Sequence, residues 1–164
     1  MKSIINAVTK ITEYIVIALV FVMVVLVFGQ VIMRHVTHST PFYAEELSRY
    51  LLIWIGFLGS SLGVKYGSHT AVSLFKDHLP LKAKGVVEKI ASLLVFLFLA
   101  VFFIASVRYC LQQAEQISST LKISMFWPTL AAPLGSLLML VQLVGVWLVK
   151  INSSSGQEEI KEVI

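Results

Sequence analysis

Charge is what this sequence has least of: Asp, Glu, Lys and Arg make up 13% of its 164 residues. A soluble domain carries about 25%, and half that share cannot clothe a globule of this size in water. Hydrophobic residues reach 57%, so the implied solvent is lipid. Cysteine is almost missing. Cys110 stands alone, which excludes an intrachain disulfide and any CxxC metal or redox motif; its plain role is a small apolar residue in a helix. Catalytic signatures are scarce too, with no HExxH or P-loop in the chain, so catalysis has little support. Glu45 and Glu46 are adjacent and would point about 100° apart on a helix, so they do not converge as a dyad. The net charge of +4 is spread one or two residues at a time between apolar runs, and nothing in it reads as a nucleic-acid surface.

Histidine is scarce and badly placed for a cofactor. His35 and His38 follow the first apolar run, and His69 and His78 fall on the opposite side of the membrane. Haem ligands in a bundle face one another from within helices, and none of the four lies inside an apolar run. No metal site and no cofactor are expected.

What the chain does have is apolar length. Tyr14 to Met33 gives 20 residues without a charge, Tyr50 to Val64 gives 15, Ile90 to Val107 gives 18, and Ile123 to Val149 gives 27. A helix needs about 20 residues to cross a hydrocarbon core about 30 Å thick. The second run is too short alone, so its helix must borrow residues upstream. Thr40 and Pro41 suit a start there, as hydroxyl N-cap and first-turn proline. That start places Glu45, Glu46 and Arg49 in the first turns, at the membrane boundary. Both acids lie within helical reach of the guanidinium, and such pairing lowers the cost of charge near the interface.

These runs predict an all-α integral membrane protein with four transmembrane helices, over about 12–34, 41–65, 86–112 and 126–150. The membrane domain is expected to cover 1–151 and a disordered tail 152–164. The first run is longer than a signal peptide's apolar region and lacks a small-residue cleavage site after it, so it reads as a retained helix. Nine Lys and Arg fall on the side of the termini and the middle loop, against four (Arg34, Arg49, Arg108 and Lys122) on the other. That bias places both termini in the cytoplasm. Val72, Phe75 and Leu79, ended by Pro80, fit a short amphipathic helix on the cytoplasmic surface, with a plain connecting loop as the alternative. Trp127 and Trp147 are spaced as two interfacial anchors.

The second helix carries Gly56, Gly59, Ser60, Gly63 and Gly67, including two overlapping GxxxG patterns. Small residues at this spacing let helices approach closely in lipid. Packing within this chain is the simpler reading, and docking onto another chain is the alternative. Trp54 lies inside the same helix and suits packing against a neighbour. Polar residues are almost missing from the central parts of the helices; Gln30 and Gln142 are the main exceptions. A transporter acting alone places polar groups or broken helices there, so this chain lacks a substrate path of its own.

The order of short motifs resembles the DctQ-like small membrane subunit of tripartite ATP-independent periplasmic (TRAP) transporters. The matching stretches are Gln30-Val31-x-x-Arg34, Glu45-Glu46-Leu47-Ser48-Arg49-Tyr50, Trp54-x-x-Phe57-Leu58-Gly59 and Gly67-Ser68-His69. With Leu79-Pro80 they cover most of the chain through about residue 90. The family often has tryptophan before the acidic pair and tyrosine after the first arginine, where this chain has Phe42-Tyr43 and His35.

The resemblance implies a non-catalytic scaffold subunit in a bacterial inner membrane. It would brace a large elevator-type membrane subunit, working with a periplasmic substrate-binding protein and membrane lipids to import organic acids on a sodium gradient. Arg34, Glu45, Glu46, Arg49, Trp54, Gly59, Gly63 and His69 are the candidate structural or partner-contact residues. Other classes compatible with four small helices are a self-contained efflux carrier, which needs a membrane-embedded acid, and a membrane anchor of a redox complex.

Overall fold

The computed structural model describes the backbone of residues 2–37, 42–76 and 81–161, and the side chains of 6–36, 43–66, 87 and 90–147. Five α-helices account for nearly all of it: α1 (Lys2–Thr37), α2 (Phe42–Lys76), α3 (Leu81–Gln112), α4 (Phe126–Thr129) and α5 (Ala131–Lys161). Four stretches are long and apolar enough to cross a membrane: Asn6–Val36, Tyr43–Tyr66, Ile90–Glu115 and Phe126–Trp147. The chain is a multi-pass α-helical membrane protein. As the short second run required, its span starts upstream and contains Glu45, Glu46 and Arg49. Thr40 and Pro41, the expected start, lie outside the described residues.

The fourth span is built from two helices. Pro133 has no N–H to offer the carbonyl one turn back, and regular helix lapses at Leu130 between α4 and α5. The Thr129 hydroxyl turns inward and donates to Met125 O at 2.8 Å.

The spans stand in a row. α1 packs on α2, α2 on α5 and α5 on α3, while α1 touches α5 only slightly. Gln30 meets Ser48 near one end of the α1–α2 pair and Thr9 meets Lys65 near the other, so these helices are antiparallel. Tyr50 meets Met125 and Phe57 meets Gly135, so α2 and the fourth span run parallel. One end of the row gathers the start of α2 and the α3–α4 connection; we call it the loop end. The opposite end, here the terminal end, gathers Asn6, Lys65 and Trp147.

Little of this row is an oily core. Among the described residues, those buried include the apolar Ala44, Tyr50, Leu58, Leu99, Cys110 and Ala131, accompanied by Thr9, Thr12, Ser61, Ser106, Ser118, Ser136 and Gln142. Lipid is as apolar as leucine, so hydrophobicity does not draw helices together there; small side chains and hydrogen bonds do. Several buried hydroxyls donate to a carbonyl of the preceding turn, as Thr12 does to Val8 at 2.9 Å and Ser61 to Leu58 at 2.7 Å. Large apolar residues such as Phe21, Phe28, Leu93 and Phe98 point outward, where lipid solvates them.

Two expectations fall beyond what is described. The surface helix around Val72, Phe75 and Leu79 lies outside the described side chains, its backbone running on from α2 to Lys76. For the tail read at 152–164, the side chains and the last three residues also lie outside them; the α5 backbone is helical to Lys161.

Candidate functional site

α2 is the helix that relates the others, and its two sides differ sharply. Tyr50, Leu58 and Ser61 are buried, and Phe57 stacks on Phe102 of α3 with ring centres 6.1 Å apart. Turning the helix by half a revolution brings Glu45, Arg49, Leu52, Gly56, Gly59, Ser60 and Gly63 into one stripe. All are exposed except Gly59, which is half-buried. A Cβ placed on Gly56, Gly59 or Gly63 would meet nothing within 4 Å. Gly56, Gly59 and Gly63 therefore do not pack against the described residues, contrary to the simpler reading; Gly67 of the second pattern lies beyond the described side chains. The close approach between helices is made elsewhere. Gly135 on α5 receives Phe57, and a Cβ there would stand 2.6 Å from the Phe57 Cβ.

The acidic pair divides its work. Arg49 Nη2 lies 3.3 Å from Glu45 Oε1, with both side chains about two-thirds exposed, at 67% and 70%. Glu46 does not join this pair, although sequence spacing allowed it. Its carboxylate faces the α3–α4 connection and accepts from the hydroxyls of Ser118 and Tyr50. Leu121 N–H donates to its second oxygen at 3.1 Å. A residue in the first turns of α2 thus holds a loop more than seventy residues later.

That loop is built rather than slack. After a 3-10 turn over Gln113–Glu115, Ile117 and Ser124 form an antiparallel bridge. Ser118 N–H donates to Ile123 O at 2.8 Å and Met125 N–H to Gln116 O at 2.8 Å. Lys122 turns the corner with φ of 56°, the left-handed region that a side chain adopts at some cost.

Other links tie α1 to α2. Gln30 Nε2 donates to Ser48 Oγ at 2.9 Å near the loop end. Near the terminal end, Lys65 Nζ donates to Thr9 Oγ1 at 2.8 Å and Asn6 Oδ1 at 3.2 Å, and the Tyr66 hydroxyl donates to Glu13. Of the remaining expected site residues, Arg34 is exposed and Trp54 half-buried, while the His69 side chain lies outside the described residues. Ser118, Gly135 and Lys65 escaped sequence reasoning. Gly135-Ser136 in a span is a small-residue signal that was available; the loop and Lys65 contacts join residues too far apart to leave one.

Comparison with known proteins meets this architecture. The DctQ component of tripartite ATP-independent periplasmic transporters matches residues 23–152. A chain described as a TRAP transporter small permease protein in Haemophilus influenzae is 30% identical over 97 residues, 59% of this chain and 60% of that one. The sialic acid TRAP transporter permease protein SiaT of the same species is 27% identical over 116 residues, 71% of this chain but 19% of its own length. The small permease protein SiaQ of a Vibrio cholerae sialic acid TRAP transporter is 23% identical over 139 residues, covering 85% and 80%. The matched stretch thus spans less than two-thirds of the two Haemophilus chains. A match through three whole spans and the later part of the first, on a row of four membrane helices with the acidic pair at its loop end, places this chain in the DctQ family of TRAP transporter small permease subunits.

Proposed function

We propose that this chain is a non-catalytic scaffold that docks a large elevator-type membrane subunit along the outward stripe of α2. One observation carries this: Gly56, Gly59 and Gly63 open onto nothing in their own chain. Glycine in a helix interior is costly relative to alanine, and its benefit in lipid is close approach by a neighbouring helix. No such neighbour stands there among the described residues, so the stripe suits one from another chain. SiaT supports the assignment, because a region like this one occupies only 19% of that permease. There the module is joined to a far longer chain.

Glu45 and Arg49 crown the stripe and set the depth of α2 at the membrane boundary. Glu46 holds the loop over 116–124 in shape, so that it can meet a substrate-binding protein. The Lys and Arg bias puts the terminal end in the cytoplasm, and the loop end then faces the periplasm across a bacterial inner membrane. The names of SiaT and SiaQ support uptake of an organic acid such as sialic acid; C4-dicarboxylates belong to the same substrate class. In this reading the large subunit carries substrate and sodium, because hydroxyls buried within the described spans are bonded to carbonyls of their own helix, as at Ser61, Ser106 and Ser136. Gln30 supports it too, since its amide is bonded to Ser48.

The test is co-expression with a large TRAP membrane subunit from the same organism. Wild-type chain should retain that subunit through purification and restore sodium-dependent uptake of the organic acid. Transport by this chain alone in vesicles would overturn the scaffold role.

A further inference from the structure

An open cavity of about 440 Å³ lies at the loop end between α2, α3 and the loop that follows α3. We infer that it receives the head of a phospholipid bearing a primary amine, of the phosphoethanolamine class. The inference rests on the depth-setting role proposed for Glu45 and Arg49, but not on the large subunit.

The cavity is dipolar. Arg49 and Glu45 both line it, and their 3.3 Å contact uses a single guanidinium nitrogen. A guanidinium has five N–H donors, so most remain available for phosphate oxygens, which Arg recognises in pairs. Glu46 lines the cavity too, but its oxygens already accept from Ser118, Tyr50 and Leu121. One cation and one available carboxylate match a ligand with one charge of each sign.

Order along the helix decides which zwitterion. Glu45, Arg49 and Ile53 succeed one another by a turn, and all three line the cavity. Each step moves about 6 Å along the helix toward the middle of the span. From the surface inward the chain thus presents an acid, a cation and an apolar side chain. A phosphoethanolamine lipid presents ammonium, phosphate and then glycerol with its acyl chains in that same order. Met125 and Pro128 extend the apolar floor. Across the cavity, Gln113 Nε2 donates to the Tyr109 hydroxyl at 2.7 Å, which leaves the phenolic O–H free to donate to phosphate. A primary ammonium can donate hydrogen bonds to Glu45, whereas a quaternary choline has no N–H to give.

The full-length chain, purified in mild detergent and offered equal amounts of phosphatidylethanolamine, phosphatidylcholine and phosphatidylglycerol, tests this by native mass spectrometry. Phosphatidylethanolamine should be retained at least about three-fold over the others, a difference of at least about 0.6 kcal/mol. E45Q should bring it level with phosphatidylcholine, and R49Q should lower retention of every phospholipid. Both side chains are largely exposed, so neither variant should unfold the chain, and the wild-type comparison stands without them. Equal retention of the three lipids, or a preference for phosphatidylglycerol, would overturn the inference. So would full displacement of the lipid by equimolar soluble glycerophosphoethanolamine, which would assign the site to a free phosphate ester. Any of these failures leaves assembly with the large subunit intact, so the two readings fail separately.

Discussion

Phe57 on α2 and Gly135 on α5 approach so closely that a Cβ at residue 135 would stand 2.6 Å from the Phe57 Cβ and 3.1 Å from its carbonyl oxygen. Both obstacles belong to the main chain or its first side-chain atom, so neither can swing aside. The parallel pair α2–α5, the centre of the row, is pinned there.

G135A should therefore destabilise the isolated chain by about 1–3 kcal/mol, the usual cost of overpacking. Thermal unfolding in detergent, followed by circular dichroism, should show a lower midpoint. An unchanged midpoint would mean that the helices separate without cost.

Gly63 gives the opposite result in the same assay. A Cβ there would meet nothing within 4 Å, so G63L should leave the midpoint of the isolated chain where it was. Co-purified large subunit should nonetheless fall below roughly a tenth of wild type, because leucine blocks close approach of a partner helix. Full retention of the partner would move the docking face off α2.

Glu46 reports on the loop. E46A removes the acceptor for Ser118, Tyr50 and the Leu121 N–H. Hydrogen exchange at 118, 121 and 125 should accelerate several-fold, with α1 unaffected. E46Q keeps an acceptor oxygen and should lie between the two. Equal exchange in all three proteins would show the loop held by its own ladder.

Lys122 supplies a backbone test. At φ of 56°, a left-handed residue other than glycine costs roughly 1–2 kcal/mol. K122G should be neutral to slightly stabilising, since relief of strain is partly offset by a more flexible unfolded chain. K122V should lower the midpoint, because a β-branched residue is poorly suited to this region. If the valine variant melts with wild type, the corner is free to change shape.

Much of the design is legible before any folding is considered. The apolar runs alone required four spans, and the shortness of Tyr50 to Val64 forced the second span to begin among Glu45, Glu46 and Arg49. These inferences depend on a count of residues against the thickness of a hydrocarbon layer, and that is a property of the chain. The motif order also pointed to the family, since it too is written along one dimension.

Which side of α2 is spoken for is a different kind of fact. Gly59, Gly63 and Gly135 are the same residue in sequence, yet the first two open outward and the third receives Phe57. Glu46 lay within reach of Arg49 by spacing and chose Ser118 and Leu121 instead. Both outcomes depend on where segments dozens of residues away come to rest. Composition and spacing chose lipid as the solvent, and only packing among the helices decided which small residues and which carboxylate were left facing out.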